Sequence, residues 1–259
     1  LYDHAVRSQA AGYEKALIEK TETELQNCIL AAQNYNEELK KRQNVMIYPP
    51  QEQSLNHEAY EAVLCMNAEG LMGFIEISQI HIYLPIYHGT SQEVLEKGIG
   101  HLEGSSMPIG GKNTHAVLTG HRGLPSAELF SNLDQLERDD EFYIHILGET
   151  LAYKVFHVET VKPEETGHLA IARGRDRITL VTCTPYGINT HRLLVHAKRV
   201  PYKEKENTNS QKDTLWKWLM KQKVFLISTD VLVFFIIYFL IRCFWQRNVK
   251  KRRRKKNIT

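Results

Sequence analysis

The chain has 259 residues, with 33 Lys and Arg against 30 Asp and Glu, a formal net charge of +3. Nine basic residues lie from Arg242 onward with no acid among them, so +3 overall and +9 in the tail leave −6 for residues 1–241. That split disfavours a basic nucleic-acid-binding fold, whose charge spreads over a folded face, and no nucleic-acid partner is expected. Hydrophobic content of 42% with 24% charged residues excludes wholesale disorder.

Residues 2–44 carry Tyr13, Leu17, Ile18, Leu25, Ile29 and Leu30 at three-to-four spacing among charges, which predicts helix. Pro49-Pro50 ends that region. A short helix is predicted over 57–66, with Asn56 as its cap. From Met72 the pattern changes to strands: Phe74, Ile75 and Ile77, then 81–87. Thr90-Ser-Gln-Glu93 has the spacing of a capping box, and Gly98 closes the short helix it starts. Further strands are predicted over 114–120, 141–147, 151–158, 177–183 and 191–200. Such short runs between turns imply a sandwich or barrel. The segment 159–176, with Pro163, Gly167 and Gly174, reads as a solvated connection, the alternative being the border of a substrate groove.

Residues 203–214 are polar and aperiodic and read as a linker. Val224–Ile241 is an 18-residue apolar run with one charge, Asp230; Phe244 and Trp245 extend it to the length that spans a bilayer as a helix. Trp216 and Trp218 precede it as interfacial aromatics do, and the basic run after it marks the cytoplasmic side. Asp230 is expected to lie shallow in the membrane. The expected organisation is a helical extension and possible lid region at 1–71, a β-rich domain at 72–202, a polar juxtamembrane linker at 203–223, a transmembrane helix at 224–245 and a cytoplasmic tail at 246–259. The β-rich domain then faces outside. The chain begins at Leu1 without Met, so a segment upstream is expected.

Two segments carry candidate chemistry. Thr119-Gly-His-Arg-Gly-Leu-Pro125 ends one apolar strand. In 179–195, Cys183 ends a strand and Arg192 begins the next, with the turn residues Pro185, Gly187 and Asn189 between them. If those strands are neighbours, the turn brings Cys183 and Arg192 to one rim. A Cys and a His distant in sequence are the usual parts of a thiol acyl-transfer site. Neighbouring cations favour the thiolate, and a guanidinium can steady an oxyanion. On spacing alone, Cys183 also fits a buried apolar filler, His121 competes with eleven other His, and Arg192 fits a surface ion pair. No HExxH or paired-Cys spacing is present, so no metal and no cofactor are expected. Cys28 and Cys65 are expected reduced, and Cys243 lies at the inner membrane edge.

The motif TLVTCTPYGINTHRLLV, with TGHRGLP upstream and LPIYHGTSQEVLEKGIGHLEGSSMPIGGKNTHAVLTGHRGLP around it, resembles the class C (pilin-polymerising) sortases over most of residues 72–202. The resemblance implies a mainly β fold, an eight-stranded barrel with short helices, a helical N-terminal extension and a C-terminal membrane helix. It implies catalytic roles for His121, Cys183 and Arg192 in a cysteine transpeptidase. The implied partners are LPXTG-type pilin subunits, as acyl donor and as Lys acceptor, and the membrane lipid around the C-terminal helix. Attachment of proteins to peptidoglycan and an inert assembly scaffold are the alternatives. Many class C members carry an Asp-Pro-aromatic lid; none of the eight prolines here follows Asp. Ile47-Tyr48-Pro49-Pro50 stands where a lid would be and reads as an ordinary loop, so an open or differently covered site is expected.

Overall fold

The computed structural model describes residues 2–41, 57–67, 69–124 and 127–203. The linker beyond Lys203, the membrane segment at 224–245, the basic tail and the 44–54 segment with Tyr48 lie outside the described residues. Among the described residues, no helix is long and apolar enough to cross a membrane. Residues 1–202 form one compact unit.

The N-terminal region is helical, but as two helices, α1 (Tyr2–Glu19) and α2 (Glu22–Lys41). The break is a capping box: the Thr21 hydroxyl accepts from Glu24 N, and the Glu24 carboxylate accepts from Thr21 N at 2.7 Å. A third helix, α3 (His57–Ala62), is shorter than the 57–66 expected. These helices pack on the barrel. Ala32, Tyr35, Leu39 and Tyr60 join the main core. Val6 and Tyr13 join a smaller cluster with Leu71, Phe74 and Tyr87. Asn36 binds both backbone groups of Met107, at 2.6 Å to N and 3.3 Å to O, as a strand partner would.

Eight strands follow: β1 (Leu71–Ile77), β2 (Ile82–His88), β3 (Ile99–His101), β4 (Thr114–Thr119), β5 (Glu141–Ile146), β6 (Glu149–Val161), β7 (Asp176–Thr184) and β8 (His191–Val200). They close into a barrel in the order β1-β2-β3-β4-β7-β8-β6-β5. Two contacts, β2 with β3 and β4 with β7, are parallel. Helix α4 (Gln92–Lys97) makes the crossover between β2 and β3. Its cap is Ser91, which accepts from Val94 N, rather than the Thr90 of the sequence reading; Gly98 follows it as expected. A Cβ at Gly98 would lie 2.8 Å from the Pro85 carbonyl and the Tyr87 ring. β3 was not foreseen, and β6 runs three residues beyond the expected end.

Alternation sets which face is buried. In β5, Phe142, Ile144 and Ile146 point into the core while Glu141, Tyr143 and His145 are partly exposed. β4 is buried on both faces, apart from partly buried Thr119, so Ala116-Val117-Leu118 is apolar on both faces rather than alternating. Its outer face is covered by the connection from β6 to β7, residues 162–175.

Candidate active site

Three neighbouring strands, β4, β7 and β8, carry the three singled-out residues to one end of the barrel. Cys183 and Arg192 are direct cross-strand partners, as the turn between them implied. The parallel ladder of β4 and β7 ends at Thr119 opposite Val181. It continues one step through Gly120 N donating to Val181 O at 3.1 Å and Thr182 Oγ1 donating to Gly120 O at 2.8 Å. The next position on that path is His121, level with Cys183. Cys183 and Arg192 thus face each other across β7 and β8, and His121 follows the end of the neighbouring β4. All three are partly buried. Arg192 Nη1 donates to the carbonyls of Asn189 (3.2 Å) and His191 (3.1 Å), which holds the guanidinium against the β7–β8 turn.

A groove runs along the outer face of these strands. Thr119, Val181, Arg192 and Leu194 line it on the barrel side, and Lys162, Pro163, Glu165, Thr166 and Leu169 on the loop side. Its lining includes an apolar cluster of Leu102, Val117, Val161, Leu169 and Leu194. Val181 stands two residues before Cys183 on the same face of β7, so the groove leads toward the thiol. Residues 162–169 therefore border the groove as a wall, the alternative reading, while Lys162, Glu164, Glu165, His168 and 173–175 are also exposed to solvent; residues 159–161 belong to β6.

What fixes that wall is a row of polar side chains that the sequence reading did not single out. His115 Nδ1 donates to the Ala170 carbonyl at 2.9 Å. Its Nε2 lies 2.6 Å from Thr179 Oγ1, which lies 2.7 Å from His196 Nδ1. His196 Nε2 meets Glu159 Oε1 at 2.9 Å, and His168, on the wall itself, meets the same oxygen at 2.8 Å. Burial pushes His115 down to about 4, against the Ala170 hydrogen bond. Burial also lowers His196, with Glu159 opposing. The signal in the sequence was the cross-strand recurrence of His115, Thr179 and His196 on one face. It is visible only once the strand order is known.

Cys28, Cys65 and Cys183 are free thiols. Among the described residues, no group of three or more His, Cys, Asp or Glu is arranged to hold a metal ion.

These features define a single closed barrel with a largely apolar cleft on its outer face, bordered by Arg192, the cross-strand partner of the Cys183 thiol. Residues 75–200 match the family model of the Sortase domain. Sortase C1 from Streptococcus agalactiae is similar at 45% identity, with TM-score 0.70, covering 77% of this chain and 100% of that one. Sortase C-1 from Actinomyces oris is similar at 45% identity and TM-score 0.63, over 69% of this chain and 99% of that one. Among curated relatives, sortase D of Bacillus subtilis is 30% identical over 131 residues, 49% of this chain and 63% of the relative. Sortase A of Streptococcus agalactiae is 30% identical over 131 residues, 52% of its own length. The chain belongs to the sortase family, and the solved structures it resembles are class C sortases.

Proposed function

We propose that the protein is a membrane-anchored cysteine transpeptidase that polymerises pilins. The observation that carries this reading is the pairing of Cys183 with Arg192 across β7 and β8, with His121 just past the end of the neighbouring β4 and an apolar groove bordered by Arg192. An extended LPXTG-type segment lies in the groove with its Thr carbonyl at Cys183. The Cys183 thiolate attacks that carbon, and the oxyanion of the tetrahedral intermediate faces Arg192. His121, protonated, gives its proton to the departing glycine nitrogen as the Thr–Gly bond breaks, leaving a thioester on Cys183. The thioester keeps the acyl group reactive until a Lys amine of the next pilin arrives. His121 takes a proton from that amine, the nitrogen attacks the thioester carbon, and Cys183 leaves as thiolate. An isopeptide bond joins the two subunits. No cofactor enters the scheme.

The apolar run at 224–245 anchors the protein, with the basic tail inside and the barrel outside, where secreted surface proteins pass. Incubation with purified LPXTG-bearing pilin is expected to give a ladder of high-molecular-weight products that Cys183→Ala abolishes. Products formed only with a cell-wall-type amine would instead favour attachment to peptidoglycan. Unchanged pilus assembly in cells carrying only Cys183→Ala would favour an inert scaffold.

A further inference from the structure

His121 stands at the start of the long β4–β5 connection, residues 120–140, and not within a strand. Its backbone is held on one side by Gly120 N to Val181 O and on the other by Phe130 N donating to His121 O at 3.1 Å. Neither bond reaches Cys183. The residue that does reach that strand end is the next one along. Arg122 has a side chain only 10% exposed. Its Nη1 donates to Thr184 Oγ1 at 3.2 Å, and Thr184 follows Cys183 directly. Its Nη2 donates to Asp134 Oδ2 at 2.6 Å, at the far side of the same connection. The guanidinium carbon lies 5.9 Å from the centre of the Tyr186 ring. That ring rests on Gly123, where φ is +79° and a Cβ would come within 2.9 Å of it. One guanidinium therefore joins three pieces of chain: the segment bearing His121, the strand end bearing Cys183, and the distal part of the β4–β5 connection.

The burial separates this arrangement from an ordinary surface ion pair. Arg122 Nε is buried with no partner among the described residues, so the side chain gives up one donor to hold the other two in place. A cation placed only for charge would keep that donor in water.

We propose that Arg122 is a positioning residue that sets the distance and orientation of His121 relative to Cys183. The proposal rests on the reading of those two residues as acid–base and nucleophile. A planar fork can hold Thr184 and Asp134 together, and a Lys ammonium at the same site cannot reproduce that geometry. Because misplacement of reacting groups by about 1 Å can cost on the order of 100-fold in rate, the effect should appear in kcat and in the coupling of the two side chains.

The test compares Arg122→Lys, Thr184→Val and Thr184→Ser in the full chain, with His121→Ala and Cys183→Ala as references. Three quantities are read: kcat and KM on a fluorogenic LPXTG-type peptide, the pH profile of Cys183 alkylation by iodoacetamide, and the melting temperature. Arg122→Lys and Thr184→Val should lower kcat by about 10-fold or more with KM within about 2-fold. Both should move the alkylation profile toward that of His121→Ala, and Thr184→Ser, which keeps the hydroxyl, should restore both readouts. Wild-type kcat and profile in Thr184→Val and Arg122→Lys, or equal losses in Thr184→Ser and Thr184→Val, would overturn the proposal. If Arg122→Lys does not fold, the two Thr184 variants decide. Wild-type turnover by Cys183→Ala overturns the underlying reading and the proposal with it. Loss of turnover there, with Arg122→Lys and Thr184→Val normal, overturns the Arg122 role alone.

Discussion

Replacing Thr179 by Val tests how the groove wall is held. Thr179 is fully buried, and its hydroxyl lies 2.6 Å from His115 Nε2 and 2.7 Å from His196 Nδ1. Valine keeps the shape and removes the oxygen. His115 cannot turn to a new partner, because its Nδ1 is bound to Ala170 O, so its Nε2 stays buried and unpaired. His196 Nδ1 loses its partner as well, since its Nε2 is bound to Glu159. Leaving two buried polar atoms without partners costs about 1–3 kcal/mol each. At about 4 kcal/mol in all, and about 2–4 °C per kcal/mol for a domain of this size, the melting temperature should fall by about 8–16 °C. The strain falls where the wall is attached: Ala170 follows Leu169, which lines the groove. KM for an LPXTG-type peptide should therefore rise severalfold, while the rate of Cys183 alkylation stays at the wild-type value. Thermal unfolding by circular dichroism and peptide-cleavage kinetics measure both. A melting temperature within about 1 °C of wild type, or an unchanged KM, would refute the claim that this row of side chains holds the wall.

Two further expectations follow from buried groups near the site. His101 and His115 are both pushed down to about 4, chiefly by burial, from an unfolded value of about 6.5. Between those values the unfolded chain binds more protons, so stability is present above about 6.5 and is lost as pH falls toward 4, on the order of 3 kcal/mol for each residue. Melting temperatures measured from pH 7 to 4.5 should fall steadily, and a flat profile would contradict this. Gly120→Ala would place a Cβ 2.7 Å from Ile99 Cδ1 and 2.8 Å from the Phe130 ring. Overpacking of this kind costs about 1–3 kcal/mol, and because His121 is the next residue, kcat should drop more than the loss of folded protein accounts for. A variant with wild-type kcat per folded molecule would contradict the tight packing of that strand end.

Much of the fold could be read from the chain because its strands are patterned by the faces they bury. Phe142, Ile144 and Ile146 alternate, while Ala116-Val117-Leu118 and Leu193-Leu194-Val195 are apolar on both faces where both are covered. β3 escaped because three residues, Ile99–His101, carry no usable period. The break at Lys20-Thr21 escaped because Leu17, Ile18 and Leu25 keep helical spacing across it, although Thr21 and Glu24 spell the capping box. Cys183 and Arg192 were legible as a pair, since Pro185, Gly187 and Asn189 define a tight return. The groove wall was not. Its position depends on His115, Thr179, His196 and Glu159 meeting across four strands whose order the sequence pattern does not encode. Arg122 was hidden for the same reason, its partners lying 12 and 62 residues away.

The central claim is that Cys183 carries the acyl group. Mass spectrometry of the enzyme after incubation with an LPXTG-type peptide tests it most directly. A hydroxylamine-sensitive adduct on Cys183 is expected, equal in mass to the peptide up to and including its Thr, less one water. The adduct should be absent in Cys183→Ala and should form slowly in His121→Ala and Arg192→Ala. An adduct on another residue, or cleavage of the peptide by Cys183→Ala at the wild-type rate, would contradict it.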